Sequence, residues 1–255
     1  MKRDEVADNQ ATSEVAPQKL AIEVKGLCKA FGRTPVLRDL DLEVPWGEVL
    51  TILGPNGSGK TTLIKILATL TRPDSGTVRV GGLEVTRRGQ RVRRLIGVVT
   101  HDTLLYDDLT GYENLKFFAR MFGLDRIDER VFDVVERMGV SSRLHQRVGT
   151  LSHGLKKRFT IARALLHDPA ILLMDEPESG LDQEALALME DIITDKTIPH
   201  RTVIMTTHNL ERGLALGQRM AILSKGRIAY QESLEAVGAA TLREAYFRHA
   251  GVESS

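Results

Sequence analysis

Cysteine is nearly absent from this chain. Cys28 stands alone among 255 residues, which excludes an internal disulfide and leaves no cysteine pair for a thiolate zinc site. A disulfide-stapled secreted domain is thereby excluded. Charge of one sign is missing too: 35 Lys and Arg face 34 Asp and Glu, a formal net charge of +1. That balance gives no support to a broad nucleic-acid-binding surface, and no nucleic-acid partner is expected. Long hydrophobic runs are also lacking, since no segment approaches the roughly 18 apolar residues of a membrane-spanning helix. Residues 1–18, MKRDEVADNQATSEVAPQ, carry mixed charge without a signal-peptide-like apolar core. They read as a disordered tail with no targeting role. These absences together suggest a soluble protein of a reducing compartment, the cytoplasm, held by a partner if it works at a membrane.

Apolar residues are plentiful, at 42%. A folded chain of this length hides about three quarters of its extended surface. From Lys19 onward there is no long linker, low-complexity tract or internal repeat, and short apolar segments alternate with helical patterns. That alternation predicts an α/β fold with a largely parallel sheet. Strands are expected at residues 21–24, 40–44, 48–53, 171–174, 202–206 and 220–223. A helix is expected from Lys60 to about Leu70, before the Pro73-Asp74-Ser75-Gly76 turn. The stretch from Thr110 to about His167 reads as a helical block. Within it Thr110 and Glu113 have capping-box spacing, Leu115, Phe118, Ala119 and Phe122 repeat with helical period, and Gly123 is placed to end the helix. Residues 131–138 form a second apolar stripe, and Ser152 is placed to cap a third helix running to Asp168-Pro169.

Residues 54–61, Gly54-Pro55-Asn56-Gly57-Ser58-Gly59-Lys60-Thr61, satisfy G-x-x-x-x-G-K-[ST] between an apolar strand and a helix pattern. Such glycines let backbone N–H groups converge on phosphate oxygens, and the helix N-terminus adds a favourable dipole. Lys60 would reach the terminal phosphates of a nucleotide, and the Thr61 hydroxyl would coordinate Mg²⁺, with Thr62 beside it. Residues 171–176 are four apolar residues followed by Asp175 and Glu176. At the carboxyl end of a buried parallel strand, Asp175 can bind Mg²⁺, and Glu176 can polarise an attacking water. Two solvated acids would be the bland reading without a phosphate loop upstream. Thr206-Thr207-His208 closes the next strand pattern, which favours a functional over a structural role for His208.

In this order the pieces resemble the nucleotide-binding subunit of ATP-binding-cassette (ABC) transporters, over roughly residues 20–230. The resemblance implies a P-loop NTPase core of ABC type spanning residues 19–232. It also implies an N-terminal antiparallel β subdomain, a helical subdomain inserted at about 102–168, and a short C-terminal helix and tail at 233–255. Leu151-Ser152-His153-Gly154-Leu155 stands where the family has Leu-Ser-Gly-Gly-Gln, Ser179-Gly180-Leu181-Asp182 matches its dimer-contact loop, and His208 matches its switch histidine. Phe31 falls where an aromatic side chain stacks on adenine. The family mechanism implies two cassettes packed head to tail around two ATP molecules, with Ser152 and Gly154 touching the partner's γ-phosphate. It further implies transmembrane permease subunits and attachment at the inner face of the cell membrane through them.

Two departures qualify the match. His153 and Leu155 replace a glycine and the glutamine of the signature. His101, or Asp102 if the register slips by one, stands where the family places a glutamine that touches Mg²⁺ and water; neither side chain reproduces an amide's paired donor and acceptor. The His101 loop, with residues 104–110 and Glu113-Asn114-Leu115 behind it, is similar to the ATPase of the haem exporter of cytochrome c maturation. Multidrug, lipid and polysaccharide exporter ATPases of the ABC-2 type share much of the pattern. Arg87, Arg88, Arg91, Arg93 and Arg94 read first as a solvated surface, and otherwise as a contact for an acidic loop or anionic headgroups. A soluble ABC machine or a module without turnover fits less well. The chain has one phosphate loop, and Lys60, Asp175, Glu176 and His208 are all present.

Overall fold

The computed structural model describes residues 20–195 and 201–250; the tail expected at residues 1–18 lies outside them. Two strands open the fold as a long antiparallel hairpin, β1 (Leu20–Phe31) and β2 (Thr34–Pro45). Both run further than the residues 21–24 and 40–44 expected from apolar content, because backbone pairing carries the hairpin out to its polar tip. β4 (Ser75–Val80) joins the other edge of β1, and the two-residue β5 (Leu83–Glu84) follows, giving a four-stranded sheet of order β2-β1-β4-β5.

A second sheet of six strands forms the centre. It contains β3 (Val49–Leu53), β6 (Ile96–Val99), β7 (Ile171–Asp175), β8 (Thr202–Thr207), β9 (Arg219–Ser224) and β10 (Arg227–Ser233) in the order β10-β9-β3-β8-β7-β6. All pairings are parallel except that of β10 with β9. Every residue of β3, β7 and β8 is buried, as strands covered on both faces must be. Alternate side chains serve different cores. Ile171, Leu173 and Ile204 face the antiparallel sheet, along with α1 (Lys60–Leu67) and α2 (Val85–Leu95). Leu172, Met174, Val203 and Met205 face the helical block.

That block consists of α3 (Gly111–Phe122), α4 (Ile127–Arg137) and α5 (His153–Leu165). The expected capping box is present, with Thr110 Oγ1 accepting from Glu113 N and the Glu113 carboxylate accepting from Thr110 N. Gly123 ends α3 in the left-handed region at φ 70°. Ser152 caps α5 by accepting from Leu155 N. The remaining helices are α6 (Gln183–Thr194), α7 (Leu210–Leu216) and α8 (Leu234–Ala250), the last broken at Gly238.

Two helices end before their expected limits, and a third was not expected. α1 stops at Leu67 rather than Leu70, because Thr69 takes a positive φ of 62°. α5 stops at Leu165, short of Asp168-Pro169. The arginine cluster folds as α2, for which no helix was expected: only Val85 and Val92 of that helix are buried, so its apolar signal is thin.

Register brings the chemistry to one end of the sheet. Leu53 lies opposite Thr207, and Asp175 lies opposite Thr206. The loop that begins at Gly54, the acid pair 175–176 and His208 therefore all emerge at the carboxyl ends of neighbouring strands, where open α/β sheets bind ligands.

Candidate active site

The phosphate loop joins β3 to α1. Gly59 caps the helix at φ 111°, a conformation that L side chains rarely adopt, and a Cβ there would press on the Leu37 side chain of β2. Lys60 is buried and donates to the carbonyl oxygens of Gly54 at 2.7 Å and Pro55 at 3.2 Å. Burial holds the Lys60 ammonium below the usual lysine range, opposed by the carboxylates of Glu176 and Asp175. Ser58 Oγ is buried without a hydrogen-bond partner, a cost that a phosphate oxygen at the loop would relieve. Asn56, Gly57 and Thr61 are exposed around it, with Thr62 half-buried.

Asp175 ends β7, buried, and accepts a 2.6 Å hydrogen bond from Thr206 Oγ1 of β8. Glu176 follows at φ 46°. A glutamate in the left-handed region costs about 1–3 kcal/mol and persists only where its surroundings fix it. Here its N–H donates to Thr206 O at 3.0 Å and to Thr206 Oγ1 at 3.2 Å, and its carbonyl lies 3.4 Å from Lys157 Nζ. His208 Nδ1 lies 3.4 Å from Glu176 Oε1. Lys60, Asp175, Glu176 and His208 are thus gathered at one end of the sheet.

The other residues singled out from the sequence sit around this group. Phe31 is exposed at the tip of the β1–β2 hairpin, with Lys29 Nζ 5.4 Å from its ring centre. The same hairpin brings Val36 and Leu37 against Gly59. His101 is exposed just past β6, where Thr100 Oγ1 donates to Asp102 O at 2.7 Å. Ser152 and His153 are exposed at the start of α5. His153 occupies the space where a Cβ on Gly180 would lie, Gly180 having φ 79°. The substituted signature position is therefore packed on the loop at residues 179–182. Arg158 of α5 joins the same loop through Asp182 Oδ1 at 2.7 Å.

Two contributors were missed in the sequence. Thr206 holds both acids, yet at its position a β-branched strand residue needs no special reason. Lys157 is buried and bonded to the site, although in the sequence it is one member of the basic run 156–158. Nothing in the sequence sets it apart from Lys156 and Arg158 beside it.

Among the described residues no cluster of three or more His, Cys, Asp or Glu could hold a metal ion alone. The oxygen donors here, the Thr61 hydroxyl and the Asp175 carboxylate, suit Mg²⁺, which keeps waters and takes phosphate oxygens as further ligands. The unpartnered Ser58 hydroxyl and the cationic loop fit a polyphosphate. The residues present thus fit ATP with Mg²⁺.

The family model for ABC transporters matches residues 37–179. Nod factor export ATP-binding protein I of Rhizobium sp. (strain N33) is 39% identical over 211 residues, covering 82% of this chain and 69% of that protein. The daunorubicin/doxorubicin resistance ATP-binding protein DrrA of Streptomyces peucetius is 39% identical over 210 residues, covering 82% and 64%. A solved ATP-binding subunit of an ABC transporter superposes with a TM-score of 0.82 at 26% identity, covering 89% of this chain and 98% of that one. The chain belongs to the ABC transporter family, as an ATP-binding subunit that hydrolyses ATP with Mg²⁺.

Proposed function

We propose that this protein is the ATP-hydrolysing subunit of an exporter of the ABC-2 type, with a drug, lipid or polysaccharide as cargo. The observation that carries the reading is the similarity to ATP-binding proteins named for Nod factor export and for daunorubicin/doxorubicin resistance. The haem cargo expected from the His101 loop gains no support from these relatives, and the exporter reading replaces it.

In this reading Lys60 and the N–H groups of residues 57–61 hold the β- and γ-phosphates, and Phe31 lies against the base. Thr61 and Asp175 would hold Mg²⁺, which neutralises charge on the phosphates when bound. Glu176 accepts a hydrogen bond from the attacking water and polarises it. His208, 3.4 Å away, orients that carboxylate. His101, exposed on the loop just past β6, would stand in for the family's glutamine near metal-bound water. Ser152 and Gly154 serve the phosphates of a second, identical cassette packed head to tail, and binding at both sites closes the pair.

No helix among the described residues is long and apolar enough to cross a membrane. In this reading, permease partners form the pore, as the ABC transporter family implies, and this subunit works on them from the cytoplasmic face. An apolar groove of about 340 Å³ between α3 and the β6 edge supports that partnership. Leu104 and Met121 are exposed in it, and Arg93 and Arg94 rim it. Exposed apolar surface ringed by cations suits an amphipathic permease segment with acidic side chains.

The test is a detergent pull-down of tagged Glu176→Gln protein with ATP. Co-purified chains are identified by mass spectrometry, and the eluate is inspected for a haem spectrum. Recovery of an exporter permease without haem supports the proposal. Small polytopic subunits with haem-handling proteins would restore the haem reading, and soluble partners alone would overturn the transport function.

A further inference from the structure

We propose that Lys157 is a positioning residue for ATP hydrolysis: its ammonium, carried on α5, clamps the main-chain carbonyls of Glu176 and Thr100 and thereby sets the aim of the Glu176 carboxylate. The proposal rests on the assignment of Glu176 to the attacking water.

Lys157 is 3% exposed. A buried ammonium is costly unless it is paired and hydrogen-bonded, so its partners explain its presence. Nζ lies 3.3 Å from Thr100 O and 3.4 Å from Glu176 O. Both are backbone acceptors, and an ammonium has donors for both. The carboxylates of Glu178, Asp175 and Glu176 surround it and oppose the downward pull of burial on its pKa.

Glu176 needs such a clamp. Its φ of 46° belongs to a region that non-glycine residues leave unless held. Thr206 fixes the residue from its N–H side through two bonds, and Lys157 fixes it from its carbonyl side. With both peptide planes held, the Cα–Cβ bond has one direction, and the carboxylate is directed from there toward His208. Without Lys157 the carbonyl plane is free to rotate.

The second bond gives the clamp its reach. Thr100 immediately precedes His101, and Lys157 lies five residues after Ser152 on a helix buried continuously from Lys157 to Leu165. One side chain therefore ties the signature helix, the exit of β6 and the strained glutamate into a single unit. A shift of α5 changes the bond to Glu176 directly.

The experiment compares wild type, Lys157→Met, Lys157→Gln, Lys157→Arg and Glu176→Gln for ATPase kinetics, binding of a fluorescent ATP analogue and thermal unfolding. Lys157→Met keeps the length and removes the donors. It is expected to lower kcat by about ten-fold or more, since small misplacements of catalytic groups cost this much. KM and analogue affinity should stay within about two-fold, the signature of an interaction made in the transition state. Lys157→Arg, which can donate to both carbonyls, should recover most of kcat, and Lys157→Gln should fall between. Unchanged kcat in folded Lys157→Met overturns the proposal, as does loss of analogue affinity in step with kcat or an Arg variant as impaired as the Met variant. If neither Lys157→Met nor Lys157→Gln folds, Lys157 is a structural residue and the proposal is likewise overturned. The controls separate this failure from a deeper one: if Glu176→Gln hydrolyses ATP like wild type, the assignment of Glu176 itself is wrong.

Discussion

The proposed mechanism rests its water activation on Glu176, and one atom's change tests it. Replacing a carboxylate oxygen by an amide removes the acceptor for the water's proton while leaving size and packing nearly unchanged. Glu176→Gln should therefore retain nucleotide affinity and lose about 10²-fold or more in hydrolysis rate, the scale of general-base contributions; phosphate-release kinetics beside equilibrium binding will read both. His167 offers a different residue-scale test. It stacks on Phe122 with ring centroids 3.9 Å apart, donates from Nε2 to Ile96 O at 3.0 Å, and leaves Nδ1 buried without a partner. Burial, with Arg163 as a further push, lowers its pKa to about 4. A histidine depressed in the folded state takes its proton more readily when unfolded, so folding stability is full above pH ~6.5 and declines as pH falls toward 4. Between pH ~6.5 and ~4.5 the loss should be about 2 kcal/mol. His167→Gln, which keeps a donor for Ile96 and does not titrate, should lack that decline in urea titrations across the same range.

At the scale of elements, the helical block shows what local sequence determines. Thr110 and Glu113 specify the start of α3 by side chains three residues apart, and the structure has both reciprocal bonds. Thr110→Ala should cost about 1 kcal/mol, visible as a lower unfolding midpoint with unaltered nucleotide affinity. The strands covered on both faces were legible for a related reason: four or five apolar residues between turn signals leave few other readings. α2 was not legible, since its cohesion comes from two valines meeting a distant core while arginines fill its surface. The same contrast divides the site. Lys60, Asp175 and Glu176 stand in local motifs whose spacing carries meaning, whereas Thr206 and Lys157 act on residues 19 to 57 positions away in the chain. Such partnerships exist only in three dimensions, so neither residue type nor local spacing announces them.

For the whole molecule, the two faces of the central sheet have separate duties: one packs on α1 and the antiparallel sheet, and the other carries the helical block. The groove beside α3 is where that block leaves apolar side chains open, Met121 being 67% exposed. A charge there should disturb association and little else. Met121→Glu is expected to bind nucleotide normally yet to recover much less permease in the pull-down, which a quantitative immunoblot would show. Strand order imposes a further condition. β3, bearing the phosphate loop, and β7, bearing the acids, do not touch as neighbours; β8 lies between them and comes last of the three in the chain. During synthesis, then, the two halves of the catalytic centre must wait for a strand that leaves the ribosome well after both. A nascent chain halted before residue 202 should fail to retain ATP on a nucleotide resin, and one extended past the end of α8 should retain it. The order of strands thus works as a timer, withholding turnover until the strand that joins the two halves has been made.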